Sequence, residues 1–198
     1  MDIRKIDKHN IPSLVQVHKS SFKDFFLTQV GDKFLYLYYD CVRKAEDAIL
    51  LGIYDDSELC GFCAASLNSR GFTTRLIKNN LLRFISIGIK LLLTHPKALI
   101  RLMKNLTKKS SEVEDNADYA ELYSIGVAKS KQGKGIGKQL YVALENSLGQ
   151  RGCKRVSLTT DFFDNEATIA FYKSVGFDIL YEFVTFPERK MIRMIKNI

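Results

Sequence analysis

The stretch that most constrains this chain covers residues 122–138. Leu122-Tyr123-Ser124-Ile125-Gly126-Val127 is an apolar run with β-branched and aromatic members, and Gln132-Gly133-Lys134-Gly135-Ile136-Gly137-Lys138 follows four residues later. Leu140, Leu144 and Leu148 then recur at helical spacing. The pattern predicts a strand that enters a glycine-rich turn and opens a helix over 137–150. Glycine accepts positive φ and lets the backbone approach a ligand closely. The first turn of a helix has amides without intrahelical partners, and the helix dipole favours negative charge there. With Lys134 and Lys138 adding charge, the unit is a device for holding an anion.

Spacing narrows the choice of anion. A phosphate loop of the Walker type needs a glycine five residues before Gly137 and a hydroxyl after the lysine, but Gln132 and Gln139 stand at those places. The dinucleotide fingerprint G-x-G-x-x-G is missed as well, because the glycines here recur as G-x-G-x-G. On residue chemistry alone, a tight turn without a ligand remains an alternative.

A second pattern lies downstream: Asn165-Glu166-Ala167-Thr168-Ile169-Ala170-Phe171-Tyr172-Lys173-Ser174-Val175-Gly176-Phe177. Gln132-Gly133-Lys134-Gly135-Ile136-Gly137 matches the Q/R-x-x-G-x-G/A signature of the GNAT N-acetyltransferases. The downstream pattern is similar to that family's N-x-x-A-x-x-F-Y-x-x-x-G-F. The resemblance covers residues 119–178. It implies an α/β fold: a mixed, partly splayed GNAT-type sheet with helices on both faces. It also implies an acetyl-CoA-dependent N-acetyltransferase acting on a primary amine of a small molecule or sugar. O-acyl or longer-acyl transfer, and a non-catalytic module that binds CoA or docks on membranes, stand as alternatives.

The resemblance assigns roles to residues. Backbone amides of residues 133–138 (Gly133, Lys134, Gly135, Ile136, Gly137 and Lys138), next to Gln132, would hold the CoA pyrophosphate. Backbone groups of Ile125 and Val127 would pair with the pantetheine amides as an added strand does. A bulge in this strand would aim an amide at the thioester carbonyl. Asn165 would contact the pantetheine arm. An alkyl amine has a pKa near ~10 and must lose a proton before attack, whereas a departing thiolate must gain one. Tyr172 is the candidate general acid and Glu121 the candidate general base. A core tyrosine and a surface glutamate are the alternative readings of those two. Peptide-acetylating relatives often carry a glutamate at the end of the next strand. Thr160 occupies that place here, with Asp161 beside it, which turns the expectation toward small acceptors and leaves Asp161 or a water chain as other bases.

The rest of the chain reads as one domain over 1–198, with a basic helical insertion over 67–118 before the central strand. The net charge of +8 is concentrated: residues 67–111 carry ten Lys and Arg and no Asp or Glu. Leu76, Ile77, Leu81, Leu82, Ile85, Ile89 and Leu92 recur at three- and four-residue steps and predict one helix. Leu99, Ile100, Met103 and Leu106 predict another, with a loop over 108–118. This segment is read as a wall of the acceptor site, as an amphipathic helix for an anionic membrane surface, or as a packed helical pair with solvated cations. Nucleic acid is not an expected partner, because the cations sit among Leu and Ile rather than stacking aromatics.

Elsewhere the spacing predicts a strand over 2–6, a helix beginning near Pro12, a helix over 32–44, a hairpin over 48–65, strands over 119–127, 154–160, 177–184 and 190–195, and a helix over 165–174. No run is long and apolar enough for a spanning helix, and the first residues lack the core of a signal peptide, so the expectation is a cytoplasmic protein. Cys60 and Cys63 form an isolated C-x-x-C and are read as buried free thiols on opposite strand faces. No metal is expected.

Overall fold

A computed structural model describes residues 1–23, 26–94, 115–185 and 188–198. Seven strands form one sheet in the order β1-β2-β3-β4-β5-β7-β6. They are β1 (Asp2–Lys5), β2 (Ala48–Asp55), β3 (Glu58–Ser66), β4 (Ala120–Val127), β5 (Arg155–Asp161), β6 (Asp178–Thr185) and β7 (Arg189–Asn197). Neighbours are antiparallel except β4 and β5, which run parallel. A parallel pair needs a crossover, and a helix between the two supplies it. The helices among the described residues are α1 (Ile11–Ser21), α2 (Phe26–Val30), α3 (Asp32–Lys44), α4 (Phe72–Asn79), α5 (Leu81–Thr94), α6 (Ile136–Gln150) and α7 (Glu166–Ser174). The mixed sheet with helices on both faces is the expected α/β class.

Period-two alternation sorts the strand residues onto two cores. Ile49, Leu51 and Ile53 of β2 join Leu122, Leu158 and Met194 against Leu140, Leu144 and Leu148 of α6. Leu50 and Tyr54 of β2 join Phe62 and Ala64 against Leu14, Val15, Leu35 and Tyr39 of α1 and α3. Both faces of β2 are covered, which is why it reads as a continuous apolar run.

Three expectations need revision. The single helix through Leu76–Leu92 is broken at Asn80: its side-chain amide bonds Leu76 O at 3.0 Å and closes α4, while its carbonyl accepts from Arg83 N and Phe84 N at 3.0 and 3.1 Å and starts α5. The short helix α2 is an addition. Cys60 and Cys63 do not diverge: the β2–β3 register slips between Ile53 and Tyr54, so that Cys60 is an extra residue, and both thiols enter the same core cluster as free, buried cysteines. The predicted helix over Leu99, Ile100, Met103 and Leu106 and most of the 108–118 loop lie outside the described residues.

Candidate active site

The sheet forks at its centre. β4 and β5 are paired only through Ala120, Glu121 and Leu122 against Val156, Ser157 and Leu158. At the same point the β3–β4 register slips between Ala64 and Ala65, leaving Tyr123 as an extra residue in β4. A bulge bends its strand and increases local twist, which suits a strand about to leave its neighbour. Beyond it, Ala128 N donates to Cys60 O at 2.8 Å on the β3 side. With period two, Gly126 and Ser124 also bond toward β3, so the backbone groups of Ile125 and Val127 turn to the open side of the fork. One of these is engaged within the chain: Val127 O accepts from Ser21 Oγ and Gln132 Nε2, each at 3.1 Å.

The glycine turn closes the mouth of the fork. Gly133 and Gly135 have φ of +75° and +74°, the left-handed region that glycine enters without strain. A Cβ built at either would meet nothing within 4 Å, so the space above both is open. Gly135 directly precedes α6, whose first intrahelical bond runs from Gln139 N to Gly135 O. The amides of Ile136, Gly137 and Lys138 therefore lack helical acceptors. The first turn carries no acidic side chain, and Lys134 and Lys138 are exposed beside it.

On the other prong, Asn165 ties the end of β5 to the start of α7, donating to Thr160 Oγ1 at 2.6 Å and Asp161 O at 2.9 Å. Asp161 accepts from Nε and Nη2 of Arg189, one at each carboxylate oxygen. Tyr172 of α7 is buried among Phe171, Phe177 and Val175, with ring centroids 5.2 Å from Phe171 and 5.7 Å from Phe177. Burial pushes its hydroxyl well above the ordinary tyrosine value, so it carries its proton at neutral pH. Its hydroxyl has no hydrogen-bond partner among the described residues.

Two polar chains cross the opposite face of the sheet. In the first, Glu121 is buried; its Oε1 accepts from Arg193 Nη1 at 3.1 Å and its Oε2 from Ser69 Oγ. Arg193 also donates to Ser157 Oγ at 3.1 Å and lies 3.9 Å from Asp115, which accepts from Tyr119 and Tyr181. Burial would raise the Asp115 carboxyl, but the hydrogen bonds from Tyr119, the Ala117 amide and Tyr181, with Arg193 nearby, outweigh it and hold the group below its usual value. In the second, His18 Nδ1 meets Tyr39 OH at 2.7 Å, and that hydroxyl points on toward Ser124 Oγ of β4 at 3.5 Å.

Residues 14–177 match the family model described as Acetyltransferase (GNAT) family. The chain belongs to the GNAT acetyltransferase family. Over 64 residues, 32% of the chain, it is 41% identical to mycothiol acetyltransferase of Kocuria rhizophila, a match that spans 21% of that protein's length. Ribosomal-protein-alanine N-acetyltransferase from Brucella melitensis superposes with a TM-score of 0.67 at 16% identity, covering all of both chains. An aminoglycoside 6'-N-acetyltransferase complexed with coenzyme A gives 0.62 at 16% identity, covering 100% of this chain and 97% of that one. At such identities the two superpositions speak for the fold.

In this GNAT domain the fork gathers Ile125, Val127, Gln132 and the glycine turn on one prong and Asn165 and Tyr172 on the other. Glu121 sits at the base, where the strands are still paired. Sequence reading missed Arg193, Ser157, Asp115 and the His18–Tyr39–Ser124 chain. Arg193 left one trace, a cation set between the apolar pairs Met191-Ile192 and Met194-Ile195. Among the described residues no three His, Cys, Asp or Glu side chains gather as a metal site, and no helix is long and apolar enough to cross a membrane.

Proposed function

We propose that this GNAT-family acetyltransferase moves an acetyl group from acetyl-CoA onto the primary amine of a small molecule or sugar. The observation that carries the reading is the open ground above Gly133 and Gly135 at a free helix N-terminus, placed at the mouth of a forked sheet. An anionic pyrophosphate suits that cradle, since the amides of Ile136, Gly137 and Lys138 lack helical acceptors and Lys134 and Lys138 add charge. The outward backbone of Ile125 and Val127 suits the pantetheine amides, with Val127 contributing its N–H because its carbonyl is engaged. Asn165 would meet the pantetheine arm with its side-chain oxygen, its amide being committed to Thr160 and Asp161.

Bound acetyl-CoA supplies an acetyl thioester; an amine that attacks its carbonyl carbon loses one proton, and the departing sulfur takes one up. Tyr172, protonated and without a competing acceptor among the described residues, is the proposed donor of that second proton. Glu121 is the proposed acceptor of the first. Each of its oxygens accepts one side-chain hydrogen bond and keeps a second lone pair for that proton. The bulge at Tyr123 supports the reading that an amide of β4 turns toward developing negative charge. A small amine as acceptor is supported by the stretch shared with mycothiol acetyltransferase.

Calorimetric titration with acetyl-CoA tests the reading. Micromolar binding that disappears in Gly135→Asp, followed by amine-dependent thiol release in a panel of amino sugars and polyamines, is the expected result. Failure of the wild type to bind acetyl-CoA would sink it.

A further inference from the structure

α5 has two unlike sides. Phe84 and Ile87 pack inward against Val30, Phe34 and Tyr38, with the Phe84 and Phe34 rings 6.1 Å apart. Leu81, Leu82, Ile85 and Ile89 face solvent at 51%, 83%, 46% and 58% exposure. At 100° per residue these four fall within an arc of about 100°, one continuous apolar face. Four large aliphatic side chains in nine residues are far more than scattered surface hydrophobics require.

The charge around this face is one-sided. The helix lies within the 45-residue stretch that carries ten Lys and Arg and no acid. Arg70, ahead of α4, and Lys78, near the end of α4, are exposed. A groove of about 640 Å³ beside the helix is bordered by Leu82 and Ile87 on one side and Lys8 and Lys33 on the other. The one acid there, Asp40, is neutralised by Arg43, Lys44 and Arg83 at 2.8–3.1 Å.

We infer that α5 is a docking surface for an anionic phospholipid bilayer. An apolar face in an acid-free stretch, beside a groove bordered by Lys8 and Lys33, matches the two layers such a surface offers, acyl chains beneath phosphate groups. A second copy of this chain is disfavoured, because apposing two such faces would bring two acid-free stretches together. The 14 described residues of the helix rise about 21 Å against a hydrocarbon core of about 30 Å, and the opposite side of the helix packs on Val30, Phe34 and Tyr38, so it lies on the bilayer rather than across it. The inference is independent of the proposed reaction and extends what the domain does.

The chain contains no tryptophan, so a single introduced one reports its own surroundings. With the whole 198-residue chain, Leu82→Trp should shift its emission to the blue on adding phosphatidylglycerol vesicles and give little shift with phosphatidylcholine vesicles. Val142→Trp, also at an exposed apolar position but on α6, should stay unchanged. In the wild-type background, Ile85→Ser with Ile89→Ser should weaken co-sedimentation with phosphatidylglycerol roughly tenfold, and so should Arg70→Gln with Lys78→Gln. Since all four positions are exposed, melting temperatures should hold. Equal shifts at residues 82 and 142, equal binding to neutral vesicles, no vesicle binding by the wild type, or a wild-type dimer dissolved by the serine variant would each overturn the inference.

Discussion

Tyr39 joins His18 to the central strand, its hydroxyl 2.7 Å from His18 Nδ1 and directed at Ser124 Oγ. The other ring nitrogen, Nε2, is buried with no hydrogen-bond partner among the described residues. Phe22 and Phe62 flank the ring, at centroid distances of 4.9 and 6.3 Å. Burial lowers the His18 pKa from 6.5 to about 4.

That shift has a signed consequence for stability. Below pH 6.5 the unfolded chain takes up a proton at this residue, while the folded chain does so only near pH 4. Stability should therefore fall as pH drops through this window and level off below it, by on the order of 3 kcal/mol from this group. His18→Asn keeps a hydrogen-bonding group beside Tyr39 without a titrating ring. Urea midpoints measured from pH 7 to pH 4 should show the wild type losing its advantage over the variant as pH falls. Parallel curves would mean that His18 is not buried neutral.

The Glu121–Arg193 pair makes a second prediction. The two side chains are only 10% and 15% exposed, so removing one strands the other. Arg193→Met should cost about 3–5 kcal/mol, the range for an orphaned buried charge. Adding Glu121→Gln should restore part of that loss. A double-mutant cycle by chemical denaturation reads the coupling; additive single effects would show that the pair does not act as a unit.

Tyr172→Phe removes one oxygen from a packed site and should leave the fold and acetyl-CoA affinity near wild type. Turnover should drop by roughly 100-fold or more, the usual worth of a positioned general acid. Because burial raises the phenol, the defect should persist across pH 7–9 rather than appear only at its alkaline end. Unchanged turnover would remove Tyr172 from the proton path.

What could be read in advance followed from local signals. The helix Asp32–Lys44 and the strand–turn–helix around Gly135 announce themselves by periodicity and by glycine, and the structure places both there. The break at Asn80 could not be read, because the apolar period of α4 continues through it into α5. α2 has five residues, too few for a period to show. The Arg193 network draws on residues 69, 115, 121, 157 and 193, which only the sheet order brings together. The bulge at Tyr123 is likewise a property of two strands in register, and it entered beforehand only through family likeness.

Gly135 allows backbone strain to be separated from charge. At φ +74° any side chain is strained, yet a Cβ there meets nothing within 4 Å, so the penalty is conformational rather than steric crowding. Asn and Asp both tolerate this region better than other residues and have nearly the same shape. Gly135→Asn and Gly135→Asp should therefore destabilise the fold alike, by about 1 kcal/mol. Their acetyl-CoA affinities should differ sharply. The carboxylate would stand at a helix N-terminus where the pyrophosphate is proposed to lie, repelling it, whereas the amide only crowds it. Calorimetry at low and high salt reads the difference: the Asp–Asn gap should be at least tenfold at low salt and narrow as salt rises. Equal affinities in the two variants would mean that no anion binds over Gly135.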